Sequence, residues 1–180
     1  DLIIIESTIP PGTTKKLYFK NNLHKKKIHL AYCPERAIPG NTIYEMKNNH
    51  RIIGGIDNKS SSHAKKIYSL FSKKIILTDS LNAEISKLAE NSYRLVNIAL
   101  ANEINELSNT YNINSKKLFE IANLHPRVNF LKPGIGVGGH CIPIDPIFLN
   151  KNNNIKSISS SILVNKKTTQ KVVKKILSQI

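Results

Sequence analysis

Short apolar runs alternate with polar stretches of helical length over the first 80 residues of the chain. The apolar runs have the length and composition of β-strands, and the polar stretches between them have that of helices. Strands that alternate with helices are typical of βα units, so this half of the chain predicts a parallel sheet. The strands are expected at 1–6, 28–33, 51–53 and 74–78, and the helices near 13–22 and 60–71.

From about residue 80 onward the pattern becomes helical. Apolar side chains recur at helical spacing along one long segment, which Ser80 or Asn82 can cap and which is expected to end near Tyr111. Further helices are expected from Ser115 to Leu124, after Asp145-Pro146, and from Ile158 onward.

One loop, Gly134-Ile-Gly-Val-Gly-Gly-His-Cys141-Ile-Pro-Ile-Asp145, holds four of the chain's eight glycines. The glycines at 134, 136, 138 and 139 allow positive φ and a close approach of the backbone to a ligand. Because a thiolate is a strong nucleophile, a cysteine presented on such a loop predicts covalent catalysis. A glycine-rich turn around a buried structural cysteine is the alternative interpretation.

A polar face runs along the long predicted helix. Lys87, Asn91 and Arg94 are spaced i, i+4 and i+7, which places them on one side of that helix. A lysine and an asparagine one turn apart can hold a developing oxyanion. An ordinary solvated helix face is the alternative.

Two polar residues, Thr8 and Glu35, each follow the end of a predicted strand. In an open α/β sheet, ligands bind beyond the carboxyl ends of the strands. Both positions are therefore candidates for a site, although threonine and glutamate are also common in ordinary loops.

The formal net charge of +15 raises the hypothesis of nucleic-acid binding. The lysine pairs are scattered along the chain, however, and aromatic residues make up only 6% and are not interleaved with them. A compositional bias is the favoured explanation, and no nucleic-acid partner is expected. A basic field would in any case attract an anionic substrate.

Two cysteines, Cys33 and Cys141, are too few for a disulfide framework, and a bridge between them would silence the proposed nucleophile. No apolar stretch has the length of a membrane span, and no signal-peptide pattern opens the chain. A cytoplasmic protein without a membrane segment or a metal site is expected. The Gly-x-Gly-x-x-Gly dinucleotide fingerprint is missing, since Gly134 to Gly139 follows no predicted strand.

Several separated segments resemble, in the same order, motifs of the UDP-glucose/GDP-mannose dehydrogenase family. The match runs from Glu6 to about Ile147, and motifs in a shared order are more specific than any one alone. The segment His125-Pro126-Arg127-Val128-Asn129 adds similarity to the branch that oxidises UDP-N-acetylmannosamine. The motifs are Ser7-Thr8-Ile-Pro-Pro-Gly-Thr13, Cys33-Pro34-Glu35-Arg36, Ala83-Glu-Ile-Ser-Lys87 with Glu90-Asn91, Asn102-Glu103, and Gly138-Gly139-His140-Cys141 with Asp145-Pro146.

The resemblance implies a four-electron oxidation of a UDP-sugar C6 alcohol to a carboxylate by two NAD⁺, through a thiohemiacetal and a thioester on Cys141. UDP-N-acetylmannosamine is the implied substrate, with UDP-N-acetylglucosamine and UDP-glucose as alternatives. Lys87 and Asn91 would stabilise the oxyanion, and Asp145 would organise the lysine and its water. Glu35 would act as the base for thioester hydrolysis, and Thr8 would lie near the nicotinamide and the catalytic water. The implied cofactor contacts are Thr8 and Cys141.

The resemblance also implies a set of residues that bind the UDP-sugar, in which arginine forks contact the diphosphate. For His125, a role in ending the preceding helix is an equally good interpretation. The substrate-binding residues expected are Arg36, Lys87, Asn91, Arg94, His125, Arg127 and Gly138.

The implied fold is α/β: residues 1–80 form the C-terminal part of a Rossmann-like parallel-sheet domain whose N-terminal part is absent. Residues 81–157 form an all-helical central domain with the long helix and the cysteine loop, and 158–180 begin a connector towards a UDP-binding domain. Such a fragment is expected to be inactive alone. A homodimer is expected through the long helix, whose stripe of Ile85, Leu88, Leu95, Ile98 and Ala99 suits either a dimer interface or a core within the chain.

Three other interpretations stay open. A two-electron dehydrogenase of the β-hydroxyacid or 6-phosphogluconate type shares the fold plan and the Lys–Asn pair, but has no need of Cys141. A basic nucleic-acid-binding module predicts a contiguous Lys/Arg face and salt-sensitive binding. An inactive family member is the third, although the matched catalytic residues are all present.

Overall fold

The computed structural model describes residues 1–179. The chain divides into two compact units, Asp1–Ala89 and the residues from Glu90 onward. The boundary falls inside one long helix. The sheet lies in the first unit, and the second is helical.

The first unit is built around a four-stranded sheet with the strand order β1-β2-β3-β4. The strands are β1 (Leu2–Ile5), β2 (His29–Tyr32), β3 (Arg51–Gly55) and β4 (Ile75–Asp79). The helices between them are α1 (Thr13–Lys20), α2 (Thr42–Asn48) and α3 (Asn58–Tyr68). The alternation predicted from the sequence is confirmed, with α2 as an additional helix that the sequence did not indicate.

The sheet is parallel in two of its three pairs. β1 pairs with β2 in parallel, with Leu2 opposite His29, and β3 pairs with β4 in parallel, with Arg51 opposite Ile75. The pair β2–β3 is antiparallel, which departs from the parallel arrangement expected there. A parallel connection needs a helix that crosses over the sheet. The segment between β2 and β3 carries only the short helix α2, which has no buried residue and so does not pack as a crossover.

The core of the first unit lies between the sheet and α3. It is formed by Ala31, Cys33, Ile53, Ala64 and Tyr68, all nearly inaccessible to solvent. Burial of this apolar surface stabilises the unit by roughly 25 cal/mol for each Å² removed from water.

The first turn of α3 packs closely against the end of β3. The Asp57 side chain accepts a 2.7 Å hydrogen bond from the backbone N–H of Ser60 and caps the helix. A Cβ atom at Gly55 would lie 2.3 Å from the Ser61 hydroxyl oxygen, so only glycine fits there. α3 therefore begins at Asn58, two residues before the start that the sequence pattern predicts.

The start of α1 is stabilised by a residue far along the chain. Its N-cap, Gly12, has no side chain to cap the helix. The carboxylate of Glu84, on the helix after β4, instead accepts hydrogen bonds from the backbone N–H groups of Gly12 and Thr14. Glu84 is fully buried, and a carboxylate at a helix N-terminus is favoured by the helix dipole. The sequence placed Glu84 only in the first turn of its own helix.

The long predicted helix is confirmed as α4 (Ser80–Thr110). The second unit continues with α5 (Ser115–Ala122), α6 (Asp145–Asn150) and α7 (Lys156–Leu177). Asn114 caps α5 by accepting a 3.1 Å hydrogen bond from the Lys117 N–H. Residues 123–144 contain neither helix nor strand. Among the described residues, 1–179, no helix is both long and apolar enough to cross a membrane.

The apolar stripe on α4 is largely covered by the chain itself. Leu88, Leu95 and Ala99 are between 0% and 3% exposed, so they are core residues rather than a face offered to a second copy. Ile85 remains 38% exposed. The core interpretation of this stripe is therefore confirmed for its three buried members.

Candidate active site

Two buried polar side chains meet in the second unit. Asn91 on α4 donates from Nδ2 a 2.6 Å hydrogen bond to Oδ2 of Asp145, the first residue of α6. Asn91 is 9% exposed and Asp145 is 2% exposed. Because a buried carboxylate is costly unless it is hydrogen-bonded, this contact holds both side chains in one orientation.

Cys141 lies one turn before Asp145 and is tied to it through the backbone. Its carbonyl oxygen accepts hydrogen bonds from the N–H groups of Asp145, at 2.9 Å, and Ile144, at 3.2 Å. Cys141 is exposed and free, whereas Cys33 is free and buried. The interpretation of Cys141 as a buried structural cysteine is therefore wrong, and no disulfide occupies its thiol.

The glycine-rich loop before Cys141 uses positive φ at two of its four glycines. Gly136 has φ of 105° and Gly139 has φ of 84°. The conformational freedom that the sequence offers at all four glycines is thus used as positive φ at Gly136 and Gly139. The two left-handed residues bend the backbone on either side of Val137.

Three asparagine side chains on α4 and α7 hold the backbone of this loop and of the residues just before it. Each accepts a hydrogen bond through Oδ1 from a backbone N–H, and the three N–H positions are spaced by three residues. The pairs are Asn97 with Leu131 at 2.8 Å, Asn102 with Gly134 at 2.8 Å, and Asn165 with Val137 at 2.7 Å. Sequence reasoning missed these roles, because an asparagine on a helix gives no local sign of the distant segment that it binds.

The polar face of α4 is only partly solvated. Lys87 is 7% exposed and Asn91 is 9% exposed, whereas Arg94 is exposed. A lysine is seldom buried unless its ammonium group is paired, because that group must leave water. The alternative of an ordinary solvated face is therefore wrong for Lys87 and Asn91 and holds for Arg94.

Glu35 lies in the first unit, just after β2, where it is held by a buried arginine. Arg51, which is 4% exposed, donates a 2.9 Å hydrogen bond to Oε2 of Glu35 and a 3.1 Å bond to the carbonyl of Pro34. The N–H groups of Arg36 and Ala37 donate to Oε1 of Glu35, each at 2.7 Å.

These contacts decide the ionisation of Glu35. Burial raises the pKa of the carboxyl, but the hydrogen bonds from Ala37, Arg51 and Arg36 and the charge of Arg51 outweigh it. The pKa of Glu35 therefore lies below its ordinary value, and the group is ionised at neutral pH.

The ring of a buried tyrosine packs against the Arg51 guanidinium group. The guanidinium group lies over the ring of Tyr68, 4.7 Å from its centroid. The Tyr68 hydroxyl donates a 2.6 Å hydrogen bond to Glu6, which lies just after β1. The motifs that end β1 and β2 are thus joined through Arg51 and Tyr68, neither of which the sequence singled out.

The other predicted site residues have varied environments. Thr8 is half-buried in the loop after β1, and Arg36 is half-buried with its guanidinium donating a 3.0 Å bond to the carbonyl of His50. His125 accepts a 3.3 Å bond at Nδ1 from the N–H of Arg127, and both are exposed, as is Gly138. Thr8, Glu35, Arg36 and Lys87 belong to the first unit, and the remaining site residues belong to the second.

Two family models match the chain. That of the NAD binding domain of the UDP-glucose/GDP-mannose dehydrogenase family matches residues 1–72, and that of the family's central domain matches residues 81–170. The chain therefore belongs to the UDP-glucose/GDP-mannose dehydrogenase family, which confirms the resemblance carried by its motifs.

Individual relatives are similar over nearly the whole chain. A UDP-N-acetyl-D-mannosamine dehydrogenase of Methanocaldococcus jannaschii is 53% identical over 98% of this chain. The structure of a UDP-D-ManNAc dehydrogenase from Pyrococcus horikoshii superposes with a TM-score of 0.92 at 41% identity, covering 98% of this chain and 44% of that one. A UDP-N-acetyl-mannosamine dehydrogenase from Staphylococcus aureus gives a TM-score of 0.87 at 40% identity, covering 100% of this chain and 44% of that one.

The matched region is nearly the whole of this chain but less than half of each of these relatives. The chain spans 42% of the length of the Methanocaldococcus protein and of two Methanococcus proteins with the same name.

Proposed function

We propose that the protein, expressed from its complete reading frame, oxidises the C6 alcohol of a UDP-sugar to the carboxylate with NAD⁺, and that the sugar is UDP-N-acetylmannosamine. The observation that carries the proposal is the exposed Cys141 thiol, one turn from the buried Asn91–Asp145 pair. The proposed substrate is supported by the names of similar proteins, one matched in sequence and one in structure.

In this reaction Cys141 is the nucleophile. After the first oxidation, the Cys141 thiol releases its proton to water and its Sγ attacks the C6 aldehyde, whose oxygen becomes the negatively charged oxygen of a thiohemiacetal. Loss of a second hydride from C6 leaves a thioester, which water cleaves to the carboxylate and the free thiol. NAD⁺ supplies the hydride acceptor for both oxidations.

Lys87 and Asn91 stabilise the oxygen that gains charge. The Asn91 amide nitrogen carries two hydrogens and gives one of them to Asp145, which orients the group for a second acceptor. Preorganised donors of this kind are often the largest catalytic contribution, and loss of one typically costs about 10²–10³ in rate. Asp145 positions the amide and the lysine with its water.

Glu35 is the proposed base for hydrolysis of the thioester. A base must be deprotonated before it accepts a proton from water, and the lowered pKa of Glu35 leaves it ionised at neutral pH while making it a weaker base than an ordinary glutamate. Arg51 and the two backbone N–H groups hold its carboxylate in a single orientation.

We propose that the cofactor binds at the loop after β1. Nucleotide cofactors bind beyond the carboxyl ends of parallel strands, where Thr8 lies half-buried, and the Glu84 contacts hold the end of the same loop. Thr8 would contact the nicotinamide end of NAD, with Cys141 as the second proposed cofactor contact.

The UDP-sugar would be held by cationic and backbone groups. Arginine suits the diphosphate because its planar fork of donors matches phosphate oxygens. The proposed substrate-binding residues are Arg36, Lys87, Asn91, Arg94, His125, Arg127 and Gly138.

The assembly and location are also proposals. We infer a cytoplasmic homodimer that binds a UDP-sugar and no nucleic acid; the two free cysteines are consistent with a reducing compartment. Exposed apolar residues of α4 such as Leu100 and Leu107 suit an interface through that helix. The domain boundaries 1–80, 81–157 and 158–180 stay a prediction.

The test is NADH production by the protein expressed from its complete reading frame, with UDP-N-acetylmannosamine, UDP-N-acetylglucosamine and UDP-glucose as parallel substrates. Two NADH per UDP-N-acetylmannosamine, and little from the other two, is the expected result. Two NADH from another of these sugars would keep the reaction and correct the substrate. One NADH per sugar would indicate a two-electron dehydrogenase, and none from a folded protein that binds NAD⁺ would favour a different substrate or an inactive member.

Two variants test the assigned roles. Cys141→Ser is expected to abolish the second oxidation while the KM for the sugar stays within about threefold of the unaltered value. Full four-electron turnover in that variant would refute the covalent route. Lys87→Ala is expected to lower kcat by about 10²-fold and to change KM less, as for a group that acts chiefly in the transition state.

A further inference from the structure

The segment before Cys141 is irregular, and its backbone is held by side chains. Residues 123–144 contain neither helix nor strand, so their backbone N–H and C=O groups need partners other than a regular ladder. Asn97, Asn102 and Asn165 supply such partners at Leu131, Gly134 and Val137.

Of these three asparagine contacts, the one made by Asn165 on α7 lies nearest to Cys141 in the chain. Asn165 hydrogen-bonds both the backbone N–H and the backbone C=O of Val137. Its Oδ1 accepts from the Val137 N–H at 2.7 Å, and its Nδ2 donates to the Val137 carbonyl at 3.0 Å. A side-chain amide combines a donor and an acceptor in this way, so it replaces the pairing that a neighbouring strand would give. A carboxylate of the same shape can only accept.

The same face of α7 also packs closely against Gly136, the residue before Val137. Thr169 lies one turn after Asn165, and a Cβ atom at Gly136 would come within 2.2 Å of its hydroxyl oxygen. Gly136 has φ of 105°, a conformation that other residues rarely adopt. α7 therefore hydrogen-bonds Val137 and packs closely against Gly136, four and five positions before the thiol.

Hydrogen bonds also hold the backbone after the thiol. The Cys141 carbonyl is bonded to the N–H of Asp145, whose side chain is bound to Asn91. Cys141 thus lies between two anchored points, Val137 and Asp145, while Gly138, Gly139 and His140 are exposed.

We propose that Asn165 is a positioning residue for Cys141, because its two hydrogen bonds to Val137 fix the start of the short segment that carries the thiol. The inference rests on the proposed role of Cys141 as the nucleophile. It assigns to α7 a role in catalysis, exerted through the backbone, that requires no contact between this helix and the substrate.

Asn165→Asp is the sharpest variant, because it keeps the size and the acceptor for the Val137 N–H but turns the donor into an acceptor that faces the Val137 carbonyl. Misplacement of a reacting group by about 1 Å can cost about 10²-fold in rate. We expect kcat with UDP-N-acetylmannosamine to fall between 10-fold and 100-fold, while KM stays within threefold. Asn165→Leu, which removes both bonds, should lower kcat at least as much.

Gln170→Glu is the matched control, because it makes the same amide-to-carboxylate change at an exposed position of α7. Its kcat should stay within twofold of the unaltered value. A kcat within twofold in Asn165→Asp, or a higher KM at unchanged kcat, would overturn the proposal.

Hydrogen exchange in the unaltered protein keeps the proposal testable if both Asn165 variants fail to fold. The protection factor of the Val137 amide, which corrects its exchange rate for the intrinsic rate of each residue type, should be at least tenfold higher than those of Gly138 and Gly139. Equal protection factors would overturn the proposal.

The exchange measurement and the Cys141→Ser variant together distinguish failure of this proposal from failure of the proposed function. If Cys141→Ser keeps four-electron turnover, the covalent mechanism fails, and Asn165 then has no nucleophile to position. If Cys141→Ser stalls and Val137 exchanges freely, the mechanism stands and only the role of Asn165 fails.

Discussion

Asn91 and Asp145 are joined by a 2.6 Å hydrogen bond although 54 positions separate them in the chain. One side chain comes from the middle of α4 and the other from the start of α6. Both side chains are buried, at 9% and 2% exposed, so their hydrogen bond is largely shielded from solvent. The bond connects the proposed oxyanion donor to the turn that carries Cys141. Its loss is therefore expected to affect both catalysis and the stability of the fold.

Loss of the Asp145 carboxylate is expected to destabilise the protein. Asp145→Ala leaves the buried Asn91 amide without its acceptor, which should lower the free energy of unfolding by about 1–3 kcal/mol. Denaturant unfolding measures the change. Glu120→Ala, at an exposed position of α5, is the control and should change the free energy by less than about 0.5 kcal/mol. An equally small change in Asp145→Ala would contradict the structural role of the bond.

The ion pair between Arg51 and Glu35 predicts a dependence of stability on pH. Because the folded protein depresses the pKa of Glu35, its stabilising contribution is present above the ordinary pKa of a glutamate and is lost as the pH falls through the lower folded value. The difference in unfolding free energy between the unaltered protein and Arg51→Gln should therefore be larger at pH 7 than at pH 3.5. Lys47→Gln, an exposed charge removal on α2, should show a much smaller pH-dependent difference. A pH-independent gap for Arg51→Gln would count against the pairing.

The two cysteines should differ sharply in reactivity. Burial raises the pKa of the Cys33 thiol to about 12, whereas Cys141 is exposed. Since the thiolate is the reactive form, iodoacetamide at pH 8 should label one thiol per folded chain and two after unfolding. Mass spectrometry locates the label, which is expected on Cys141. Folded Cys141→Ser should take up no label within the same time; rapid labelling of Cys33 would show that its core is open.

Glu84 is expected to stabilise the start of α1. Glu84→Ala removes the acceptor for the N–H groups of Gly12 and Thr14 and should lower the free energy of unfolding by about 1–3 kcal/mol. Glu84→Gln keeps one amide oxygen and should lose less. Glu103→Ala, at an exposed position of α4, serves as the control. Equal stabilities of Glu84→Ala and Glu103→Ala would exclude the capping role.

The periodicity of apolar residues determined the elements of this fold. The long helix α4 was predicted to within a residue or two at both ends, because a 31-residue amphipathic pattern is a strong local signal. The antiparallel pair β2–β3 and the short helix α2 were not predicted. Strand direction depends on how the connecting segment packs, and α2 carries no buried face that would mark it in the sequence.

The sequence by itself determined the family, the order of the elements and the residue types that carry the chemistry, because each of these is written in local motifs and spacing. The tertiary structure alone decided which groups hold them: Arg51 for Glu35, Glu84 for α1, Asp145 for Asn91, and Asn165 for Val137. These contacts join residues that are far apart in the chain. Which residues meet depends on how whole helices and strands pack together, and the local sequence around either residue does not indicate that packing.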